Sequence, residues 1–184
     1  VEEISEGKYY QVPPPVAVDN FFYPIALKNS KSGTMVTWKN CDRLDFKRIT
    51  TLEKKLQRGL GQQFRHFLWE DKKIYLNGQE LKAYDPLCLK DNRLPYPSEI
   101  FEEVILPFRS NETSGENFIK ATFTILPLSE LYKLPNAEKS ELGITKGAGM
   151  SIVRAKREID YGWFFMDKRK ENYDDWWRAE LMFE

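Results

Sequence analysis

The chain has 184 residues, enough for one large domain or two small ones, and 41% of them are hydrophobic. Its 28 basic and 28 acidic residues balance to a formal charge of zero. That balance argues against a strongly basic nucleic-acid-binding protein and against a polybasic membrane-surface protein. Without an apolar run of the ~20 residues that span a bilayer, or a secretory-signal pattern, the chain is expected in the cytoplasm.

The metal-ligating residue types are few. Cys41 and Cys88 are far apart in sequence and lack ligand-like spacing, which favours reduced thiols. A single disulfide between them is the alternative. The single histidine, His66, is expected as a helix-terminal or partly buried imidazole. The sequence therefore predicts no metal site.

The first part of the chain reads as a linker followed by a hairpin. Three consecutive prolines at 13–15 favour an extended lead-in. Apolar residues over 21–27 and 34–38 flank the turn-forming sequence NSKSG, which predicts two paired strands.

A helix is predicted from Thr50, because Thr50 and Glu53 have capping-box spacing. Apolar residues then recur at three- and four-residue steps and predict one buried face. Gly59 and Gly61 indicate either close packing against a neighbour or a weak point in the helix. The apolar positions are Leu52, Leu56, Leu60, Phe64, Phe67 and Leu68.

Strands dominate the remainder. Asn77-Gly78 between strand-like flanks predicts a type I′ hairpin, and Asp85-Pro86-Leu87 predicts a turn. Further strands are predicted at 102–108, 118–126, 150–159 and 176–183, with a short helix at 129–133, a loop at 135–139 and a solvated charged loop at 167–175. This order predicts an α+β fold with a mixed or antiparallel sheet and few helices.

One stretch, residues 146–159, combines a glycine-bearing loop, an apolar strand and several basic side chains. Glycines allow close backbone approach to a partner group, and Lys146, Arg154 and Arg157 are then placed to meet an anion. The alternative is a surface loop that leads into a half-buried strand with solvated charges.

Several chemistries are not supported. A Ser-His-Asp triad lacks a Gly-x-Ser-x-Gly motif, and the Walker A and Gly-x-Gly-x-x-Gly patterns are absent. The acidic pairs Glu102-Glu103 and Asp174-Asp175 are expected to be solvated surface.

Three segments together resemble GHKL ATPases, the superfamily of Hsp90, MutL, DNA gyrase B and histidine kinases. Residues 33–44 (GTMVTWKNCDRL) are similar to the Gly-Thr strand that closes the nucleotide-binding domain. Residues 74–78 (IYLNG) followed by Asp85-Pro86 are similar to the next strand and turn in bacterial Hsp90-like proteins. Residues 149–159 (GMSIVRAKREI) and 176–183 (WWRAELMF) resemble a signature of the same group.

The resemblance implies that residues 1–45 are the tail of an ATPase domain and a linker, and that residues 46–184 are a ribosomal-S5-domain-2-like transducer domain. ATP and Mg²⁺ are the implied cofactors of the full-length protein, with none expected in this chain alone, because the acidic residue with Asn and the Asp-x-Gly-x-Gly loop do not occur here.

The implied site residues are the Gly-Thr pair and one cation. Gly33 and Thr34 match the pair that reaches adenine, and Lys146, Arg154 or Arg157 would supply a basic group to the γ-phosphate. The loop position favours Lys146. Arg154 and Arg157 could instead pair structurally with Glu158 or Glu180.

The expected partners are an upstream ATPase domain of the same protein and, in a dimer, a second copy. No membrane partner is expected, and nucleic acid is not favoured. On this interpretation the parent protein is an ATPase and this chain alone is inactive. The alternative is a non-catalytic protein- or nucleic-acid-binding module that uses exposed aromatic side chains; its candidates are Trp163, Phe164, Phe165, Trp176 and Trp177.

Overall fold

The chain divides into two compact units, Val1–Asp45 and Phe46–Glu184. In the first unit the side chains of Val36, Trp38 and Leu44 are exposed. Gly33 and almost all of the predicted hairpin over 21–38 lie outside the described residues. The computed structural model describes residues 34, 36, 38, 41, 44, 46, 48–90, 92–108, 117–145, 147–164, 166 and 171–183.

The predicted helix is present as α1 (Ile49–Gln63), followed at once by α2 (Arg65–Trp69). The predicted capping box is wrong, because the N-cap is Arg48 and makes no side-chain capping bond, so Thr50 already lies inside the helix. The apolar face is only half-buried, and Leu56 is 39% exposed. The helix therefore buries only part of its apolar face, and it also makes the polar contacts described below.

The two glycines of α1 have different surroundings. A Cβ on Gly61 would lie 2.6 Å from the carbonyl oxygen of Lys82, whereas a Cβ on Gly59 would meet nothing within 4 Å. The Gly61 carbonyl also accepts a hydrogen bond from the Tyr84 amide at 3.1 Å. Close packing thus applies to Gly61, and Gly59 is the weak point.

The Asn-Gly hairpin prediction is confirmed. Strands β1 (Tyr75–Leu76) and β2 (Gln79–Glu80) pair antiparallel, and Asn77 and Gly78 have φ angles of 51° and 80°. Both central residues therefore take the positive φ that a type I′ turn requires.

The main sheet has five strands in the order β3-β4-β7-β5-β6. Strand β7 pairs antiparallel with β4 and parallel with β5, and the other two pairings are antiparallel. This arrangement confirms the predicted α+β fold with a mixed sheet and few helices. The strands are β3 (Glu99–Phe108), β4 (Asn117–Ile125), β5 (Met150–Arg154), β6 (Arg157–Gly162) and β7 (Trp177–Phe183).

Three local predictions are wrong. Residues 150–159 are not one strand but the β5–β6 hairpin, because Ala155 and Lys156 have φ angles of 46° and 65° and turn the chain. The loop predicted at 135–139 falls in helix α4 (Asn136–Glu141), which follows the short helix α3 (Leu128–Leu131). The end of the charged segment is a 3₁₀ helix, Asn172–Trp176, with Asp174 and Asp175 buried.

The apolar core lies where α3 and α4 meet the segment between β2 and β3. Leu126, Leu131 and Ile144 are almost completely buried there, together with Cys88 and Leu94. Leu134, Leu142 and Trp176 pack against this cluster. The core thereby places residue 143, just after α4, beside the start of β5.

Candidate functional site

A buried ionic network joins α2 to three strands of the sheet. The guanidinium of Arg65 is fully buried, and its Nη1 donates to Glu158 Oε2 on β6 at 2.7 Å. Its Nη2 donates to Ser151 Oγ on β5 at 2.7 Å and to Glu180 Oε2 on β7. Because one planar guanidinium binds two carboxylates and a hydroxyl, α2 and these three strands are held together by directed polar contacts.

Two further side chains complete the network. Gln62 Nε2 donates to Glu158 Oε1 at 2.7 Å, and His66 Nε2 lies 3.2 Å from Glu180 Oε2. Burial pushes the pKa of Glu180 upward, but hydrogen bonds from His66 and Arg65 and the charge of Arg65 outweigh burial, so the net pKa is lowered. The expected position of His66 as a partly buried imidazole near a helix end agrees with its 14% side-chain exposure.

A cavity of about 250 Å³ lies next to this network and shares Gln62 with it. Three arginines line it, and the described lining contains no carboxylate. The cavity is therefore lined by a concentration of positive charge on a chain whose total charge is zero. Its polar lining consists of Arg58, Gln62, Tyr84, Arg93, Tyr161 and Arg178.

Two of the arginines stack on one tyrosine ring. The guanidinium carbons of Arg58 and Arg93 lie 4.7 and 3.9 Å from the centre of the Tyr84 ring. Arg58 Nη2 also donates to the Tyr84 hydroxyl at 2.8 Å. Arg93 is fixed by a 2.8 Å bond from Nη2 to the Asp85 carbonyl oxygen. The stack orders two long side chains at the cavity.

These donors converge on one glycine. A Cβ placed on Gly143 would lie 2.8 Å from the Tyr84 hydroxyl, 3.4 Å from Arg93 Nη1 and 3.5 Å from Arg58 Nη2. Gly143 has a φ of 72°, so the residue that follows α4 must be one that tolerates positive φ. The backbone can approach the three donor groups closely because no side chain intervenes.

The third arginine, Arg178, holds the loop that precedes β5. Its Nη2 donates to the carbonyl oxygens of Gly143 and Ile144 at 3.1 and 3.2 Å, and its Nη1 donates to those of Asp175 and Trp177 at 2.8 and 2.7 Å. Burial lowers the pKa of Arg178 from its usual value. Carbonyl oxygens thus accept the hydrogen bonds of this cation, and the charge of Asp175 opposes the effect of burial on its pKa.

Tyr161 fixes the other end of the same loop. Its hydroxyl donates to the Gly147 carbonyl oxygen at 2.5 Å. Burial raises the pKa of Tyr161 to about 12, so this phenol remains a neutral donor throughout the physiological range.

The structure describes two of the three residues predicted for the phosphate. Lys146 lies outside the described residues, although its neighbour Gly147 lines the cavity at the start of β5. Arg154 and Arg157 are exposed and face each other across the β5–β6 hairpin, at the other end of β5. Strand β5 spans about 13 Å at ~3.3 Å per residue, so the cavity and this arginine pair belong to different ends of the strand.

The structure also describes the predicted adenine-contacting threonine and the predicted ion pairs of Arg154 and Arg157. Thr34 is exposed. The suggested pairing of Arg154 or Arg157 with Glu158 or Glu180 is wrong, because both carboxylates bind Arg65. Arg157 instead lies 5.6 Å from the centre of the Phe64 ring.

Sequence reasoning missed Arg65, Arg178 and the Arg58–Tyr84–Arg93 stack. One signal was present: Glu180 occupies a strand that is otherwise largely apolar, and a carboxylate in such a position requires a cation. Arg65 was overlooked as that cation because it lies off the apolar stripe of the helix. The cavity arginines come from three separate segments, and no spacing rule connects them.

Along the described part of the chain, no three His, Cys, Asp or Glu side chains cluster as a metal site would require. Within the same residues, no helix combines the length and apolar character needed to cross a membrane. Comparison of the chain with protein-family models, curated proteins and solved structures found no match to a family, a protein or a fold.

Proposed function

We propose that residues 46–184 form the transducer domain of a GHKL-type ATPase with a ribosomal-S5-like fold. In this proposal the domain couples ATP binding and hydrolysis in an upstream nucleotide-binding domain to a conformational change. The observation that carries it is the buried bonding of Arg65 to β5, β6 and β7. A domain that transmits a displacement must move as one rigid body. This network bonds α2 directly to three strands of the sheet, which opposes sliding of the helix over the sheet.

The loop before β5 supports the same proposal. Arg178 holds the carbonyl oxygens of Gly143 and Ile144, and Tyr161 holds that of Gly147. Lys146 immediately precedes this second anchor in sequence. A cation presented from an anchored loop is preorganised for a developing phosphate charge, which favours Lys146 over Arg154 and Arg157.

The proposal assigns cofactors and partners as follows. ATP and Mg²⁺ bind the upstream domain, with Gly33 and Thr34 at its edge, and this chain alone binds neither. The parent protein is a cytoplasmic ATPase that works as a homodimer. In such a dimer the conformational change of the transducer domain would move one subunit relative to the other.

Calorimetry with Mg²⁺·ATP is the first test. The 184-residue chain should show no Mg²⁺-dependent binding at micromolar nucleotide, because it lacks the acidic residue with Asn that would hold the metal and the Asp-x-Gly-x-Gly loop that would hold adenine. Micromolar, Mg²⁺-dependent binding by this chain would overturn the proposal. The reading frame ahead of Val1 should encode a helix with Glu and Asn followed by Asp-x-Gly-x-Gly.

Turnover by the longer protein is the second test. Lys146→Ala should lower kcat by about 10²-fold or more, the usual cost of one preorganised transition-state contact. Lys133→Ala is the matched control, since Lys133 is 73% exposed and pairs only locally with Glu130. Equal kcat values for both variants would exclude Lys146, and the same assay on Arg154→Ala and Arg157→Ala would then decide between those two.

A second candidate function is a non-catalytic binding module. Trp163 and Trp177 stack on each other with centroids 5.2 Å apart and are half-buried, so they are not the free platforms expected. A separate open groove of about 640 Å³ contains Tyr132 and Tyr173, which are 68% and 60% exposed. This groove is the observation that keeps the candidate.

An oligonucleotide titration tests that candidate. Binding to a labelled single strand should weaken steeply with salt if phosphates are contacted, and Tyr132→Ala should reduce it if bases stack in the groove. Binding that is absent at low salt, or unchanged in Tyr132→Ala, would dismiss this use of the groove.

A further inference from the structure

We propose that the cavity of Arg58, Tyr84, Arg93 and Arg178 is a binding site for a small phosphate-class anion. The site is independent of the proposed ATPase role, because it lies within the described residues of this chain and requires neither Mg²⁺ nor a nucleotide-binding domain. Its ligand is inorganic phosphate or the phosphate group of a small monoester.

Charge is the first argument. Three guanidinium groups line the cavity, and no carboxylate is among its described lining residues. Arg178 is 2% exposed; its Nη1 and Nη2 groups donate to carbonyl oxygens, and the charge of Asp175 also acts on it. Three cationic side chains around one small cavity favour an anion in the space between them.

Donor geometry is the second argument. The Tyr84 hydroxyl, Arg93 Nη1 and Arg58 Nη2 lie close together beside the Gly143 backbone, each within 3.5 Å of where a side-chain Cβ would be. Arg58 uses one N–H on the Tyr84 hydroxyl, and its exposed side chain leaves the other N–H groups to solvent at the cavity. A guanidinium presents donors in a planar fork that matches two oxygens of a phosphate group.

Size selects the ligand. Sites for drug-sized molecules enclose about 300–1,000 Å³, and this cavity has about 250 Å³. A whole nucleotide with its base and sugar is too large for it. An oxyanion with at most a short ester group fits, and glycine at positions 143 and 147 keeps the wall free of side chains.

Gly147 shows how tightly this wall is built. A Cβ there would lie 1.9 Å from the Gly143 carbonyl oxygen and 2.6 Å from Arg178 Nη2. The two glycine backbones therefore pack directly against each other and against the buried arginine. An anion in the cavity would bind beside the loop that carries Lys146 in sequence.

The test is a titration of the 184-residue chain with inorganic phosphate at constant ionic strength. Isothermal calorimetry or ³¹P NMR measures the binding. Constant ionic strength removes the screening contribution that any basic surface gives. A parallel titration with glycerol 3-phosphate distinguishes the free anion from a monoester, because the tighter of the two identifies the source. We expect saturable binding at one site.

Arg58→Gln is the decisive variant, because Arg58 is exposed and its loss leaves the core intact. Its dissociation constant should rise about tenfold or more, as expected when one charged hydrogen-bonding group is removed. Arg48→Gln is the matched control, since Arg48 is also exposed but is not among the residues that line the cavity. Tyr84→Phe, which keeps the ring and removes one donor, should weaken binding to a smaller extent.

Absence of saturable binding to the wild-type chain would overturn the proposal, as would an equal effect of Arg58→Gln and Arg48→Gln. Circular dichroism of each variant excludes unfolding as the cause of a loss. Failure here would leave the transducer proposal standing, because that proposal is judged by Mg²⁺·ATP binding and by turnover.

Discussion

Replacing Arg65 with methionine should destabilise the protein more than any exposed arginine replacement. Methionine fills similar space, but Glu158 and Glu180 then remain buried without their shared cation. Removing one partner of a buried ion pair typically costs 3–5 kcal/mol, and a typical domain has only about 5–15 kcal/mol of total stability. At about 2–4 °C per kcal/mol for a chain of this size, Tm should fall by roughly 6–20 °C.

Urea unfolding followed by tryptophan fluorescence measures the effect. Arg157→Met is the control, because Arg157 is exposed and stacks only on Phe64; its cost should stay below about 1 kcal/mol. Adding Glu158→Gln and Glu180→Gln to Arg65→Met should recover part of the loss by removing the stranded charges.

If Arg65→Met does not fold at all, Arg65→Lys provides the measurement, since it keeps the charge but loses the fork that bonds several acceptors at once. A loss for Arg65→Met no greater than that for Arg157→Met would refute the reasoning. So would a triple variant that is less stable than Arg65→Met alone.

The other two stability predictions concern α1 and the network carboxylate. Gly59→Ala should raise the free energy of unfolding by about 0.5–1 kcal/mol, because alanine favours the helix and nothing is near the added methyl. Gly61→Ala should lower the free energy of unfolding, since the methyl would clash with the Lys82 carbonyl. Urea midpoints that move in the same direction for the two variants would contradict this contrast. The folded-state pKa of Glu180 lies below its ordinary value of 4.5, so its contribution is full above that pH and is lost as the pH falls through the folded-state pKa. Glu180→Gln should therefore show a smaller loss of stability between pH 7 and pH 3 than wild type, and identical pH profiles would disprove this role.

Local patterns predicted well where one physical effect dominates. Asn77 and Gly78 form the expected turn because positive φ is costly for almost every other pair. The repeat of apolar residues predicted the helical segment but continued to Leu68, across the break at Phe64 between α1 and α2. The predicted strands 118–126 and 176–183 are close to β4 and β7.

Prediction failed where tertiary contacts override local preference. Ala155 and Lys156 are not typical of a tight turn, yet they take positive φ so that β6 can fold back on β5. Asp174 and Asp175 look like solvated acids in sequence but are buried at the 3₁₀ helix, where Asp174 accepts a bond from the Glu171 amide at 2.8 Å. Nothing within a short window of sequence shows which acids will be covered.

The site was harder to predict than the fold for the same reason. Ser151, Glu158 and Glu180 all lie in the segments that carry the family resemblance, but the residue that unites them, Arg65, is 86 or more positions away. The cavity likewise requires α1, the turn after β2 and β7 to be in place together. Its chemistry follows from topology, which short motifs do not encode.

The position of β7 in the sheet has a consequence for synthesis on the ribosome. This strand is later in sequence than every other strand it joins, yet it lies in the middle, between β4 and β5. Until it emerges, the strands of the main sheet can form only two separate hairpins, β3–β4 and β5–β6, and the partners of Arg65 and of the loop after α4 are incomplete. The domain therefore closes in a single late event rather than by growing strand by strand, and a chain that stalls before residue 177 exposes two unpaired edges at once.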